Sequence, residues 1–295
     1  MTDATPTAST STTATDGFLE KLRRRWHDGR TLLCVGLDPE LDQLPTAQGA
    51  DTETALVTFN MAIVDATADL VCAYKPNVAS YERHGAAGWN ALARTIAHIH
   101  SRHPEVPVLL DAKRGDMGNT AQAYADAIFD TLGADAVTLH PYLGGDALRP
   151  FLRRADRGCF ILSHTSNPGA SEFQDLTLRS VDGTEEPLYL AVARTAAHRW
   201  NANGNCGLVV GATYPEQLRA VRQAVGDLPL LIPGIGAQGG DLAAVMNVGL
   251  DSQGAGLLIS ASRSIIYASS GADFADAARR EAQQLRDAIE ELRGW

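Results

Sequence analysis

The segment Asp111-Ala112-Lys113-Arg114-Gly115-Asp116 puts two carboxylates and an ammonium group at the end of an apolar run and in the turn after it. Side chains alternate along an extended strand, so Asp111 and Lys113 face one side while Ala112 and Arg114 face the other. An acid and a base sharing a cavity can hold or deliver a proton, and each changes the other's proton affinity. A plain ion pair, with Asp116 as a helix N-cap, also fits these three residues. Lys75, at the end of an earlier apolar run, shifts the balance toward chemistry. Two lysines and two carboxylates alternating in one dry cleft form a charge network of the kind enriched at functional sites. Asp38 and Ser166 end two further runs, and Thr120 lies four residues past Asp116 on the first turn of the next expected helix.

A second cluster is Pro233-Gly234-Ile235-Gly236-Ala237-Gln238-Gly239-Gly240-Asp241, followed by a helical pattern. Glycines before a helix N-terminus expose backbone N–H groups that suit a phosphate dianion. Such a turn is weak evidence alone, but Ser262-Arg263-Ser264 ends the next apolar run, and Arg263 can add charge-assisted hydrogen bonds. Gln238, Gly239, Gly240 and Arg263 are therefore the expected phosphate site. His84, His140 and His164 have no ligand spacing, so no metal centre is expected. Trp89, Tyr124 and Tyr142 are read as packing residues.

These residues need a scaffold that brings run ends together. Eight apolar runs recur, at 31–38, 70–77, 106–114, 134–141, 159–166, 205–212, 228–236 and 256–264. Between them, spacings such as Trp89, Leu92, Ile96 and Ile99 mark amphipathic helices. Near-continuous apolar strands alternating with such helices indicate a parallel sheet covered by helices, and eight units favour a closed (β/α)₈ TIM barrel in a single domain. A chain of 295 residues suits that fold. Its catalytic groups belong at the C-terminal ends of the strands, where Asp38, Lys75, Asp111, Lys113, Ser166, Gln238 and Arg263 fall. Residues 1–16, rich in Thr, Ala and Ser, read as a disordered tail, and 17–295 as the barrel. A short helix at 18–27 is expected to cover the barrel floor, and a final helix at about 272–293 to carry Leu285, Ile289 and Leu292 on one stripe. The polar stretch 167–187 is expected to be a substrate-covering loop.

A net charge of −10 without a Lys/Arg stripe argues against a nucleic-acid partner. No apolar run approaches the roughly 20 residues that span a bilayer, and the N-terminus lacks the pattern of a signal peptide. Cys34, Cys72, Cys159 and Cys206 are widely spaced in apolar runs and read as reduced core thiols of a cytoplasmic protein.

Taken in strand order, several segments resemble the orotidine 5′-monophosphate decarboxylase family. They are Val35-Gly36-Leu37-Asp38-Pro39, Tyr74-Lys75-Pro76-Asn77, Asp111-x-Lys113-x-x-Asp116, Thr165-Ser166-Asn167-Pro168-Gly169, 233–241 and Arg263-Ser264-Ile265. The 167–187 stretch and Tyr-Lys-Pro-Asn look like its longer bacterial subgroup. The resemblance implies a lyase that converts orotidine 5′-monophosphate to UMP and CO₂ in de novo pyrimidine biosynthesis, without metal or cofactor. It implies Lys113 as proton donor to C6 and Asp111 as the group that holds it. By the same resemblance Asp38 and Lys75 bind the ribose, Ser166 reads the pyrimidine, and Gln238 and Arg263 hold the 5′-phosphate. Asp116 and Thr120 would reach the neighbouring site of a homodimer. Met117 departs from the family's more frequent Ile, a change of packing volume only. Two rivals remain: a Mg²⁺-dependent sugar-phosphate lyase or aldolase on the same barrel, and a non-catalytic nucleotide-binding or scaffold protein. Fold relatives with the same Asp-x-Lys-x-x-Asp motif place an acidic metal ligand where this chain has Lys75, which disfavours the first rival.

Overall fold

Apolar runs without polar alternation are stable only where both faces are covered, and here each of the eight contains one strand of a parallel barrel. The computed structural model describes residues 16–47, 49–179, 183–235 and 239–294. The barrel strands are β1 (Leu33–Leu37), β2 (Ala73–Pro76), β3 (Leu109–Arg114), β4 (Ala136–Leu139) and β5 (Gly158–His164), followed by β8 (Cys206–Val210), β9 (Leu230–Pro233) and β10 (Leu257–Ala261). A separate hairpin, β6 (Thr177–Arg179) and β7 (Glu185–Pro187), interrupts them. Hydrogen bonding runs in the order β2-β1-β10-β9-β8-β5-β4-β3. Single parallel bridges, Tyr74 to Val108 and Asn77 to Asp111, bring β2 against β3 and close the ring. Most of the strands are shorter than the apolar runs that contain them. Ser166 thus lies two residues beyond β5, and Arg263 opens the short helix Arg263–Ile266 instead of ending β10.

The helix Phe18–His27 forms where its apolar spacing places it and buries Phe18, Leu22 and Trp26. The Phe18 ring meets Phe160 edge to face with centroids 5.7 Å apart, and Arg25 donates to the carbonyls of Ala68 and Val71 just before β2. These contacts seal the floor, so the open end of the barrel is the C-terminal rim. The four cysteines are buried free thiols, and burial pushes Cys34 and Cys206 up to about 12. No helix among the described residues is long and apolar enough to cross a membrane.

Two expectations need correction. The last helix spans Phe274–Arg293 and buries Phe274, Ala278, Ala282 and Ile289, a stripe advancing by fours and sevens that leaves Leu292 46% exposed. The 167–187 stretch is not irregular, since it holds a 3₁₀ turn at Pro168–Glu172 and the β6–β7 hairpin. Its base is pinned: Thr165 N–H donates to Gln174 Oε1 (2.8 Å), Gln174 Nε2 to Thr165 Oγ1 (2.9 Å), and His164 Nε2 lies 3.1 Å from Asp175 Oδ1. Most of the 1–16 tail lies outside the described residues.

Candidate active site

The backbone of β3 sets the site. Leu109 and Leu110 pair with Ala136 and Val137, then the register slips and pairing resumes at Arg114 opposite Leu139. Asp111, Ala112 and Lys113 fall in this bulge, a device that re-aims side chains beside active sites. Lys113 sits at φ +46°, the left-handed region, which costs a residue with a side chain about 1–3 kcal/mol. The strain persists because Lys113 is held from both ends. Its N–H donates to Thr138 Oγ1 (2.9 Å), and its Nζ donates to Asp111 Oδ1 (2.7 Å).

Asp111 receives a second cation on its other oxygen, with Lys75 Nζ 3.4 Å from Oδ2. Burial alone would raise the Asp111 carboxyl, but the Lys75 and Lys113 ammonium groups outweigh it and hold the carboxyl at about 2. Burial likewise opposes the charge on Lys75, which is 5% exposed, yet the carboxylates of Asp38 and Asp111 raise its pKa above the ordinary lysine value. Asp38, directly after β1, is oriented by Asn77 N–H on Oδ1 (3.1 Å) and by Ser262 Oγ on Oδ2 (2.7 Å). The result is a row of alternating acid and base side chains, Asp38, Lys75, Asp111 and Lys113, of which Lys113 is the most exposed, at 50%.

This row lines a cavity of about 370 Å³ in the barrel mouth. Thr165, Ser166 and Asn167 line it after β5, and Pro233, Gly234, Ile235, Ser262, Arg263 and Ser264 line it after β9 and β10. A pocket of that size takes a small ligand. Arg263 follows β10, the hydrogen-bonded neighbour of β1, so the same rim carries the row and, beyond Ser262, a cationic side chain that can meet an anionic group.

Six expected site residues meet here: Asp38, Lys75, Asp111, Lys113, Ser166 and Arg263. Gln238 lies outside the described residues. Gly239 adopts φ +78°, and Gly240 donates its N–H to Gly234 O (3.1 Å), but neither lines the cavity among the described residues. Asp116 and Thr120 do not line it either; Asp116 Oδ1 accepts from Met117 N–H (2.7 Å), and Thr120 is exposed. The second carboxylate of the charge row is therefore Asp38. Nor is the cleft dry, because Lys113 faces open solvent. Tyr142 does not pack within the chain, being 88% exposed, with Met117 (64%) and Leu143 (41%) also uncovered.

Residue-type reasoning missed Thr138 and named Ser262 only as a neighbour of Arg263. Thr138 Oγ1 donates to Asp111 Oδ1 (2.9 Å) and receives two backbone N–H groups. Its signal was a lone hydroxyl inside the apolar run 134–141. Asn77 was noted only as part of a motif, and it works through its backbone on Asp38 and through its amide near Asp111 (3.5 Å).

Residues 31–279 match the model of the orotidine 5′-phosphate decarboxylase / HUMPS family. The chain belongs to this family. Among its relatives, the orotidine 5′-phosphate decarboxylase of Roseiflexus castenholzii is 56% identical over 272 residues, 92% of this chain and 97% of that protein. The Herpetosiphon aurantiacus protein of the same name is 54% identical over 266 residues, 90% of this chain and 95% of its own length. The solved structure of Leishmania donovani OMP decarboxylase superposes with a TM-score of 0.80 at 40% identity, covering 95% of this chain and 99% of that one. The match to these relatives thus extends along nearly the whole chain.

Proposed function

We propose that this chain is an orotidine 5′-monophosphate decarboxylase, a carboxy-lyase that releases CO₂ from C6 of the pyrimidine and leaves UMP for pyrimidine biosynthesis. One observation carries the reading: a carboxylate clamped between two ammonium groups on the cavity wall, with Lys113 Nζ 2.7 Å from Asp111 Oδ1 at the solvent side. Loss of CO₂ leaves an electron pair on C6. An ammonium fixed beside that carbon stabilises the charge and then transfers its proton to it, which replaces the lost C–C bond by C–H and leaves Lys113 neutral until it is reprotonated from solvent.

Asp111 fixes the ammonium and crowds the departing carboxylate. Two like charges ~4 Å apart repel by about 4 kcal/mol at an effective dielectric of 20. That is a small share of the ~8–23 kcal/mol that enzymes commonly supply, so stabilisation by Lys113 must contribute more. Asp38 and Lys75 are suited to the ribose hydroxyls, Ser166 to the pyrimidine edge, and Arg263, with Gln238 and its glycines, to the 5′-phosphate. Lys75 also favours a metal-free reaction, because its buried ammonium occupies the place where the metal-binding fold relatives carry an acidic ligand.

We further infer a homodimer in which Asp116 and Thr120 complete the partner's site. Both lie outside this chain's cavity, and Met117, next to Asp116 in the chain, is 64% exposed. Residues 17–295 would then be the catalytic domain and 1–16 a tail. The cytosol is the compartment we assign, in keeping with four buried free thiols. Incubating the protein with orotidylate and following the orotate chromophore tests the activity: it should disappear with stoichiometric CO₂ release, and an unchanged spectrum would refute the reading. Mixing inactive Asp116→Asn and Lys113→Ala chains tests the shared sites. Random pairing should restore roughly a quarter of parental activity, and no restoration would exclude them.

A further inference from the structure

The geometry points to Thr138 as a positioning residue whose hydroxyl fixes at once the carboxylate of Asp111 and the backbone that aims Lys113. Its kinetic consequence rests on the function proposed above; its structural consequence does not.

A threonine hydroxyl has one proton to give and two lone pairs to fill. Thr138 uses all three on the bulge of β3. The proton goes to Asp111 Oδ1 at 2.9 Å. The lone pairs take the N–H groups of Ala112 at 3.0 Å and Lys113 at 2.9 Å. These are N–H groups of the stretch where β3 leaves the β4 ladder, between Leu110 and Arg114. Thr138 is 1% exposed, so water does not offer them an easy alternative. The hydroxyl thus replaces the ladder carbonyls that the bulge gave up.

The same atom closes a ring. Lys113 Nζ returns to Asp111 Oδ1, the oxygen that Thr138 holds, while Lys113 N–H is held by Thr138 itself. The left-handed φ of +46° at Lys113 is over-determined by these contacts. Valine would fill the same space, but it would leave two N–H groups without an acceptor and take away one of the two donors to Asp111 Oδ1. The bulge could then relax toward ordinary strand geometry and swing the ammonium away from the reacting carbon. Thr138 need not touch substrate for this effect.

The test compares Thr138→Val and Thr138→Ser with the parent, reading kcat, KM, the UMP dissociation constant and a crystal structure of the valine variant. A misplacement of about 1 Å can cost about 100-fold in rate, so valine should lower kcat by roughly 30- to 100-fold. KM and UMP affinity should stay within about threefold, as for a group that acts on the transition state alone. Serine should restore kcat to within about threefold of the parent. In the valine structure Lys113 should leave the left-handed region or its Nζ should part from Asp111. If valine does not fold, Thr138→Ala takes its place with the same expected split. A valine or alanine variant with near-parental kcat, a serine variant as slow as valine, or an unmoved Lys113 would overturn the proposal. A parent without decarboxylase activity would sink the functional reading instead, while the backbone angle of Lys113 would still decide the role of Thr138.

Discussion

Replacing Lys75 by methionine removes the only ammonium in the charge row that is buried on all sides, and its cost can be worked out from the geometry. At 3.4 Å from Asp111 Oδ2, the pair attracts by about 5 kcal/mol at an effective dielectric of 20. Part of that is offset because the variant no longer has to desolvate an ammonium, and breaking one side of a buried pair costs about 3–5 kcal/mol in net terms. The side chains are only 6% and 12% exposed, so solvent screening removes little of it. Asp111 supplies the sign. Its folded value of about 2 lies below an unfolded value of about 3.9. The carboxylate therefore contributes about 2.5 kcal/mol, fully present above the unfolded value and lost as pH falls through the folded one. Without Lys75 the folded value rises and that contribution shrinks. Urea unfolding at pH 7 should show Lys75→Met destabilised by about 3 kcal/mol or more, and Lys75→Met/Asp111→Asn recovering at least half of the loss, since no uncompensated carboxylate remains. A single variant within about 1 kcal/mol of the parent, or a double variant no more stable than the single, would refute the coupling of Lys75 to Asp111.

Further outcomes follow from the same geometry. Arg263→Ala, which removes charge-assisted hydrogen bonds worth about 1.5–3 kcal/mol, should raise KM for orotidylate by roughly 10- to 100-fold, and unchanged kinetics would remove Arg263 from the phosphate site. Dialysis against EDTA should leave orotidylate turnover intact, whereas its loss would support the metal-dependent lyase instead. Asp175→Ala removes the side-chain contact with His164 Nε2, which lies 3.1 Å away. Proteolysis of the 168–187 segment should then accelerate, and an identical cleavage rate would show that the hairpin is held by its other contacts.

The barrel was legible because its strands are unbroken apolar runs, and a closed parallel sheet has little other use for eight of them. The charge row was legible for the complementary reason: Lys75 and Asp111 are too costly to bury singly, so their presence at run ends implied partners. What escaped notice depends on neighbours in space. Whether Lys113 continues a regular strand or sits at φ +46° is decided by a register slip against β4, which its own sequence does not carry. Thr138 looked like any β-branched filler until its hydroxyl was seen under the bulge. The three-residue strands of the hairpin are too short to show the alternation that marks longer strands, and no residue of either is buried. Leu292 followed helical spacing but fell beside the buried stripe instead of in it.

The role given to Lys113 is tested most directly by measuring CO₂ release from orotidylate by Lys113→Ala, with UMP affinity measured alongside to show that the cavity survives. General acid catalysis alone contributes about 10²–10⁴-fold, and the same ammonium also stabilises the carbanion. CO₂ release should therefore fall by at least about 10⁴-fold while UMP still binds. Release within about tenfold of the parent would show that the proton reaches C6 from another group.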